Sequence, residues 1–216
     1  MSGALRILLT GFGPFPGGPF NPTMPLVDRL IRLRRPALSE VERIGHIFPV
    51  IYQAVDQQLP ALLARHRPHA LLMFGLASRT SYIRVETRAR NAVTALWPDA
   101  SQNRPRQQSI VAGSQAQVFG PHTALLFRAA SETGLDVRLS RDAGSYLCNY
   151  LSWRAIEAAN AGDGPGITAF IHVPPVARGS APYSAAPMTL TQLVTVGEAL
   201  LLTTVKLARQ AAMTVD

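Results

Sequence analysis

The chain has 216 residues, 47% of them hydrophobic and 16% charged, with a formal net charge of +8. Such a length and apolar content suit a single folded domain over 1–216 and exclude a disordered chain. Of the 21 basic residues all but Lys206 are arginine; they run from Arg6 to Arg209 without a basic block, which favours a solvated arginine-rich surface over a nucleic-acid interface. The lone cysteine, Cys148, excludes an internal disulfide. No apolar run is expected to reach the length needed to cross a bilayer and the N-terminus lacks the pattern of a signal peptide, so the expectation is a cytoplasmic protein without membrane contact.

Residues 5–10 (LRILLT) form a short apolar run ending at glycine, the pattern of a strand buried on both faces. A Gly/Pro-rich loop over 11–25 follows, carrying Phe12, Phe15 and Phe20, which either fold back on the core or line a pocket. A helical pattern then runs through Leu26, Leu30 and Leu33. Residues 41–50 read as a strand, 53–66 as a helix, and 69–75 (HALLMFG) as a further buried strand. Periodicity fades over 76–119, apart from an expected strand near 83–89; long irregular segments inside compact domains are functional or mobile. A helix over 121–133 and a strand over 135–139 lead to a polar turn at 140–145 and a helix over 148–161. Residues 167–173 (ITAFIHV) are another buried strand, stopped by Pro174 and Pro175, and a loop over 177–187 precedes a helix over 189–212 capped by Thr189. Alternating strand and helix patterns predict an α/β fold, an α/β/α sandwich with a mixed, mainly parallel central sheet.

Cys148 falls in the first turn of its helix, where unpaired N–H groups and the helix dipole favour a thiolate. Ligands of open α/β sheets bind beyond the carboxyl ends of the strands. That rule gathers the 11–25 loop, the segment after Gly75, the 142–148 turn and His172 at one sheet edge. His66 and His69 fall at the opposite edge, His46 lies within a strand and His122 opens a helix, so His172 is the histidine placed to reach Cys148. A cysteine and histidine pair is completed by a group that orients the imidazole. Glu86, set among Arg79, Arg84, Arg88 and Arg90, and Asp142 are equal candidates on position alone. The histidine spacing fits no metal site, and the first-loop glycines, interrupted by Pro14, fit no phosphate cradle; neither metal nor cofactor is expected.

TGFGPF at 10–15 with Asn21, Pro22 and Thr23, PVIYQAV at 49–55, Glu86 with Asn91, DAGSYLCNY at 142–150 and FIHVPP at 170–175 together resemble the pyroglutamyl peptidase I family of cysteine peptidases, in order and spacing over nearly the whole chain. The resemblance implies hydrolysis of N-terminal pyroglutamyl residues from peptides by a Glu86, Cys148 and His172 triad through a thioester. It thereby favours Glu86 over Asp142. It also implies that Phe12 and Phe15 sandwich the lactam ring, that Asn21 shapes the pocket, that Leu76 and Tyr146 stand at substrate-binding positions, and that the protein is a homo-oligomer, a tetramer or dimer.

Three positions depart from the family pattern: Leu76 replaces a usual glutamine, Thr87 a basic residue, and Leu96 an arginine. They motivate an alternative, a divergent member that binds pyroglutamyl-type ligands or cleaves a related amide.

Overall fold

The computed structural model describes residues 4–15, 18–176 and 188–213. Strands β1 (Leu5–Phe12), β2 (Val41–Phe48), β3 (Ala70–Leu76), β4 (Ile83–Glu86), β7 (Val137–Ser140) and β8 (Ile167–Val173) form one six-stranded sheet, ordered β2-β1-β3-β8-β4-β7. A two-stranded ribbon joins β5 (Arg88–Ala89) to β6 (Gln117–Val118). The helices are α1 (Thr23–Ile31), α2 (Tyr52–His66), α3 (His122–Ser131), α4 (Leu147–Ala161) and α5 (Leu190–Met213). The loop expected over 177–187 lies outside the described residues.

The sheet is central because β1, β3 and β8 are apolar on both faces, and successive side chains of a strand point to opposite sides. Ile7, Leu9, Leu72, Phe74, Ala169 and Ile171 join the core covered by α1, α3 and α5. Leu8, Leu71, Met73 and Phe170 face the other core, with Leu147, Leu151 and Trp153 of α4 and Val55, Leu59 and Leu63 of α2. Each fully buried side chain of this kind contributes about 1.5–3 kcal/mol. The mixed, mainly parallel α/β/α arrangement is therefore what the alternating pattern predicts.

The carboxyl-edge rule succeeds for four strands and fails for two. β2, β1, β3 and β8 are parallel, whereas β4 pairs antiparallel with β8, and β7 runs with β4. The 142–148 turn therefore does not leave the sheet at the edge where β8 ends; residues 141–146 carry the chain back to it. β4 and β7 have four residues each, too few for the pattern to encode direction.

The C-terminal helix also departs from expectation. Contrary to the sequence reading, α5 is long and apolar enough to span a bilayer by length and composition. Its stripe of Leu193, Val196, Gly197, Leu200, Leu201, Thr204, Val205 and Ala208 recurs at helical spacing and packs on α1, α3 and the sheet, as the stripe of a core helix does. Thr189 caps it in a reciprocal box: its Oγ1 accepts the Gln192 N–H (3.2 Å) and its N–H donates to Gln192 Oε1 (2.8 Å).

Candidate active site

Helix α4 begins after Tyr146, whose backbone is extended, and places Cys148 at its second residue. Its first N–H groups have no intrahelical acceptor. The sulfur is seated by Gly75. A Cβ built on Gly75 would stand 2.7 Å from Cys148 Sγ and 2.6 Å from the Phe170 ring. The absence of a side chain at the end of β3 thus makes the space in which the thiol lies. Gly75 is the parallel register partner of His172, so thiol and imidazole share one face of adjacent strands.

On the other side of His172 stands β4. Its register partner there is Arg84, and period-two alternation puts Arg84 and Glu86 on the same face as the imidazole. His172 Nδ1 lies 2.7 Å from Glu86 Oε1. A carboxylate only accepts, so Nδ1–H is the donor and the lone pair is left on Nε2. Arg84 approaches both groups, with Nη2 3.2 Å from His172 Nδ1 and Nε 3.3 Å from Glu86 Oε1. Glu86 is 0% exposed and His172 3%.

Position alone left Glu86 and Asp142 equal. The structure brings Glu86 to His172, while Asp142 accepts two bonds from Arg90 Nη1 (2.9 and 2.8 Å) and one from Gly144 N–H (2.9 Å). Three of the four arginines expected around Glu86 divide as well: Arg84 bridges to it, Arg90 turns to Asp142, and Arg88 donates to the Arg141 carbonyl.

The protonation balance runs against the thiolate expected from the helix terminus. Burial, reinforced by the Glu86 charge, pushes the Cys148 thiol up to about 12, and Arg84 and its own backbone N–H pull it back only in part. Burial also holds His172 below the usual imidazole range, against the opposing pull of Glu86. Both shifts favour a neutral thiol and a neutral imidazole over a thiolate and imidazolium pair.

The remaining residues singled out in the sequence lie around this centre in different ways. Phe12 ends β1, is 3% exposed and packs on Phe48 with ring centroids 6.2 Å apart. Phe15 is 39% exposed. Asn21 is buried and ties the loop, its Nδ2 donating to the Gly13 carbonyl (3.2 Å) and its Oδ1 accepting from Thr23 N–H (3.1 Å). Leu76 is half-buried at the end of β3, directly after Gly75. Tyr146 donates its hydroxyl to the Pro98 carbonyl (2.8 Å) and meets Tyr52 edge-on.

Two groups of residues were given no role in the sequence reading. Asn149, 0% exposed, donates from Nδ2 to the carbonyls of Arg90 (2.8 Å) and Ala92 (2.9 Å) and accepts Arg90 N–H (2.8 Å). Asn91 and buried Asp99 brace the rest of the 76–119 segment through backbone groups at 101–114. Asn91 and Asn149 stood within the motifs that carry the resemblance, close to Glu86 and Cys148, whereas Asp99 had no such signal. Among the described residues no cluster of three or more His, Cys, Asp or Glu side chains is arranged to hold a metal ion.

The sequence model of the pyroglutamyl peptidase family matches residues 5–205. A pyrrolidone-carboxylate peptidase of Vibrio vulnificus is 32% identical over 200 residues, 88% of this chain and 87% of that one. Its counterpart from Pyrococcus furiosus is 29% identical over 171 residues, covering 79% and 81%. Among solved structures, the pyrrolidone carboxyl peptidase of Thermococcus litoralis superposes with a TM-score of 0.84 at 23% identity, covering 96% of each chain. That of Pyrococcus furiosus gives 0.83 at 24%, covering 94% of this chain and 100% of the other. The structural likenesses bear on the fold.

Proposed function

The chain belongs to the pyroglutamyl peptidase family and is a cysteine-type pyroglutamyl peptidase, and from that premise we propose that Cys148 is its nucleophile, His172 its base and acid, and Glu86 the group that orients the imidazole. The observation that carries this assignment is the 2.7 Å contact of Glu86 with His172 Nδ1, on the sheet face where Cys148 Sγ lies over the neighbouring Gly75.

A neutral pair fits general-base attack. The Cys148 proton passes to His172 Nε2 as sulfur bonds to the pyroglutamyl carbonyl carbon. Unpaired N–H groups at the start of α4 receive the oxyanion. The imidazolium then protonates the departing amine as the C–N bond breaks, and water, activated by His172, cleaves the thioester. Glu86 stabilises the imidazolium that forms twice in this cycle.

Pyroglutamate carries no free amine, so its pocket needs apolar walls and few hydrogen bonds. We assign Phe15, Leu76 and Tyr146 to those walls. Phe12 supports the loop from the core, and Asn21 holds its path. A homo-oligomer located in the cytoplasm, binding neither nucleic acid nor membrane, belongs to the same proposal; light scattering on the purified protein checks the first of these.

A pyroglutamyl-aminocoumarin substrate tests the assignment. Turnover is expected in the wild type and a loss of several orders of magnitude in Cys148→Ala, because nucleophile and base act as one unit. An inactive wild type, or undiminished turnover in Cys148→Ala, overturns it.

A further inference from the structure

A carboxylate 2.7 Å from an imidazole in a buried site presents a problem for any enzyme that needs the imidazole as a base. With both groups nearly excluded from water, the carboxylate's charge favours a second proton on the ring. A permanent Glu86 carboxylate and His172 imidazolium pair would have no lone pair to take the thiol proton. Burial opposes that second proton, and a further positive charge close to both partners opposes it again, because it is attracted to the carboxylate and repelled by the imidazolium.

Arg84 stands where such a charge is needed. It is the antiparallel register partner of His172 and lies two residues before Glu86 on the same strand face. Its guanidinium touches Glu86 Oε1 and His172 Nδ1 at 3.3 and 3.2 Å. Nδ1 holds a single hydrogen and gives it to Glu86, so Arg84 cannot hydrogen-bond there without displacing the carboxylate. Its Nε and Glu86 Oε2 are buried without hydrogen-bond partners. The contact is one of charge more than of directed bonding.

We propose that Arg84 is a positioning residue for the reaction: its guanidinium balances Glu86, so that the carboxylate orients His172 without converting it into a permanent imidazolium. This rests on the assignment of Glu86, Cys148 and His172 made above. The other charged or titratable groups bearing on the imidazole are Cys148 from α4 and Asp142 from the preceding turn, and Arg90 neutralises Asp142. Tyr52 and Tyr146 flank the thiol from α2 and the start of α4. Arg84 is the cation placed between Glu86 and His172.

The inference fixes the direction of two independent readouts. Arg84 disfavours the imidazolium and favours the thiolate. In Arg84→Met the acid limb of kcat/KM moves to higher pH, by about one pH unit for a charge this close. Inactivation by iodoacetamide at neutral pH slows by about tenfold over the same interval, as the thiol becomes harder to ionise. Arg84→Lys keeps the charge and restores both toward wild type; Arg84→Gln, which keeps polarity without charge, behaves like Arg84→Met and serves in its place if the methionine variant does not fold. Unchanged limbs in the neutral variants, or equal defects in Arg84→Lys and Arg84→Met, make Arg84 a packing residue and overturn the inference. An inactive wild type would instead overturn the assignment on which it rests.

Discussion

His172 joins two halves of the sheet built on different principles. On one side β1, β3 and β8 are parallel, seven or eight residues long and apolar on both faces. On the other, β4 and β7 are four-residue strands, and β7 is half exposed and carries Arg138. The long half sets distance: it places Gly75 beside His172 and leaves the gap that Cys148 fills. The short half sets charge, bringing Glu86 and Arg84 against the same imidazole. The nucleophile and base thus depend on hydrophobic packing, and their proton balance depends on a short strand whose continuation, Thr87, Arg88 and Arg90, is held by polar contacts with residues 140, 141 and 149. Damage to the first should misplace atoms; damage to the second should shift protons or loosen a segment.

The sharpest break on the charge side is Glu86→Gln. The amide keeps the shape, but its NH₂ group can donate to Nδ1 and so favour the tautomer with its proton on Nε2, where the base is lost. A fall in kcat of roughly 10²–10⁴-fold is expected, with KM little changed. Steady-state kinetics check this, and a kcat within a few-fold of wild type would remove Glu86 from the reaction.

On the distance side the matching change is Gly75→Ala. The added carbon would stand 2.7 Å from Sγ and 2.6 Å from the Phe170 ring, closer than any real Cβ contact. Sulfur has the softer anchorage and should give way. A displacement of about 1 Å costs about 10²-fold, without the shift in acid limb expected for Arg84→Met. If the limb moved as well, distance and charge could not be assigned to separate halves.

Asn149→Ala sits between the two. Its amide joins α4 to the backbone at 90 and 92, and its removal leaves the half-buried Arg90 N–H and Ala92 carbonyl without a partner and the Arg90 carbonyl with the Ala92 N–H alone. A loss of about 3 kcal/mol, or roughly 6–12 °C in Tm, is expected. Activity measured well below the melt should suffer less than in Gly75→Ala. A thermal melt alongside the kinetics separates the two variants.

The same division explains what could be read from the sequence. Strands β1, β3 and β8 were legible because burial on both faces leaves an uninterrupted apolar run, and His172 followed from the carboxyl end of such a run. Thr189 was legible as a local cap. The direction of β4 and β7 was not, since four residues carry no signal of whether their neighbour runs with or against them. Without that direction the pairing of Arg84 with His172 could not be foreseen, and the choice between Glu86 and Asp142 came from resemblance alone. Nor could Gly75 be seen as the seat of a thiol 73 positions later, because the contact exists only once α4 lies on the sheet. Within 76–119 the side chains of Asn91, Asp99 and Asn149 do the work of a ladder, and such bonds leave no periodicity.

The smallest expected effect asks whether burial outside the cleft carries the same cost as burial within it. His69, His122 and His172 are each held below the usual imidazole value, foremost by burial. The unfolded chain protonates all three near pH 6.5, above their folded values, so over that interval it binds more protons than the native state. Their contribution to stability is complete above about pH 6.5 and is lost as pH falls through the folded values. Tm should therefore decline on acidification from pH 7 to 5, each kcal/mol lost appearing as about 2–4 °C. His122 lies away from the cleft, on α3, its Nε2–H donating to the Thr168 carbonyl at 2.8 Å. In His122→Gln an amide N–H takes over that bond without titrating, so the decline should flatten while the acid limb of activity stays in place. An unchanged slope in that variant would confine the acid sensitivity to the remaining two histidines, and a limb that moved would couple α3 to the site across the sheet.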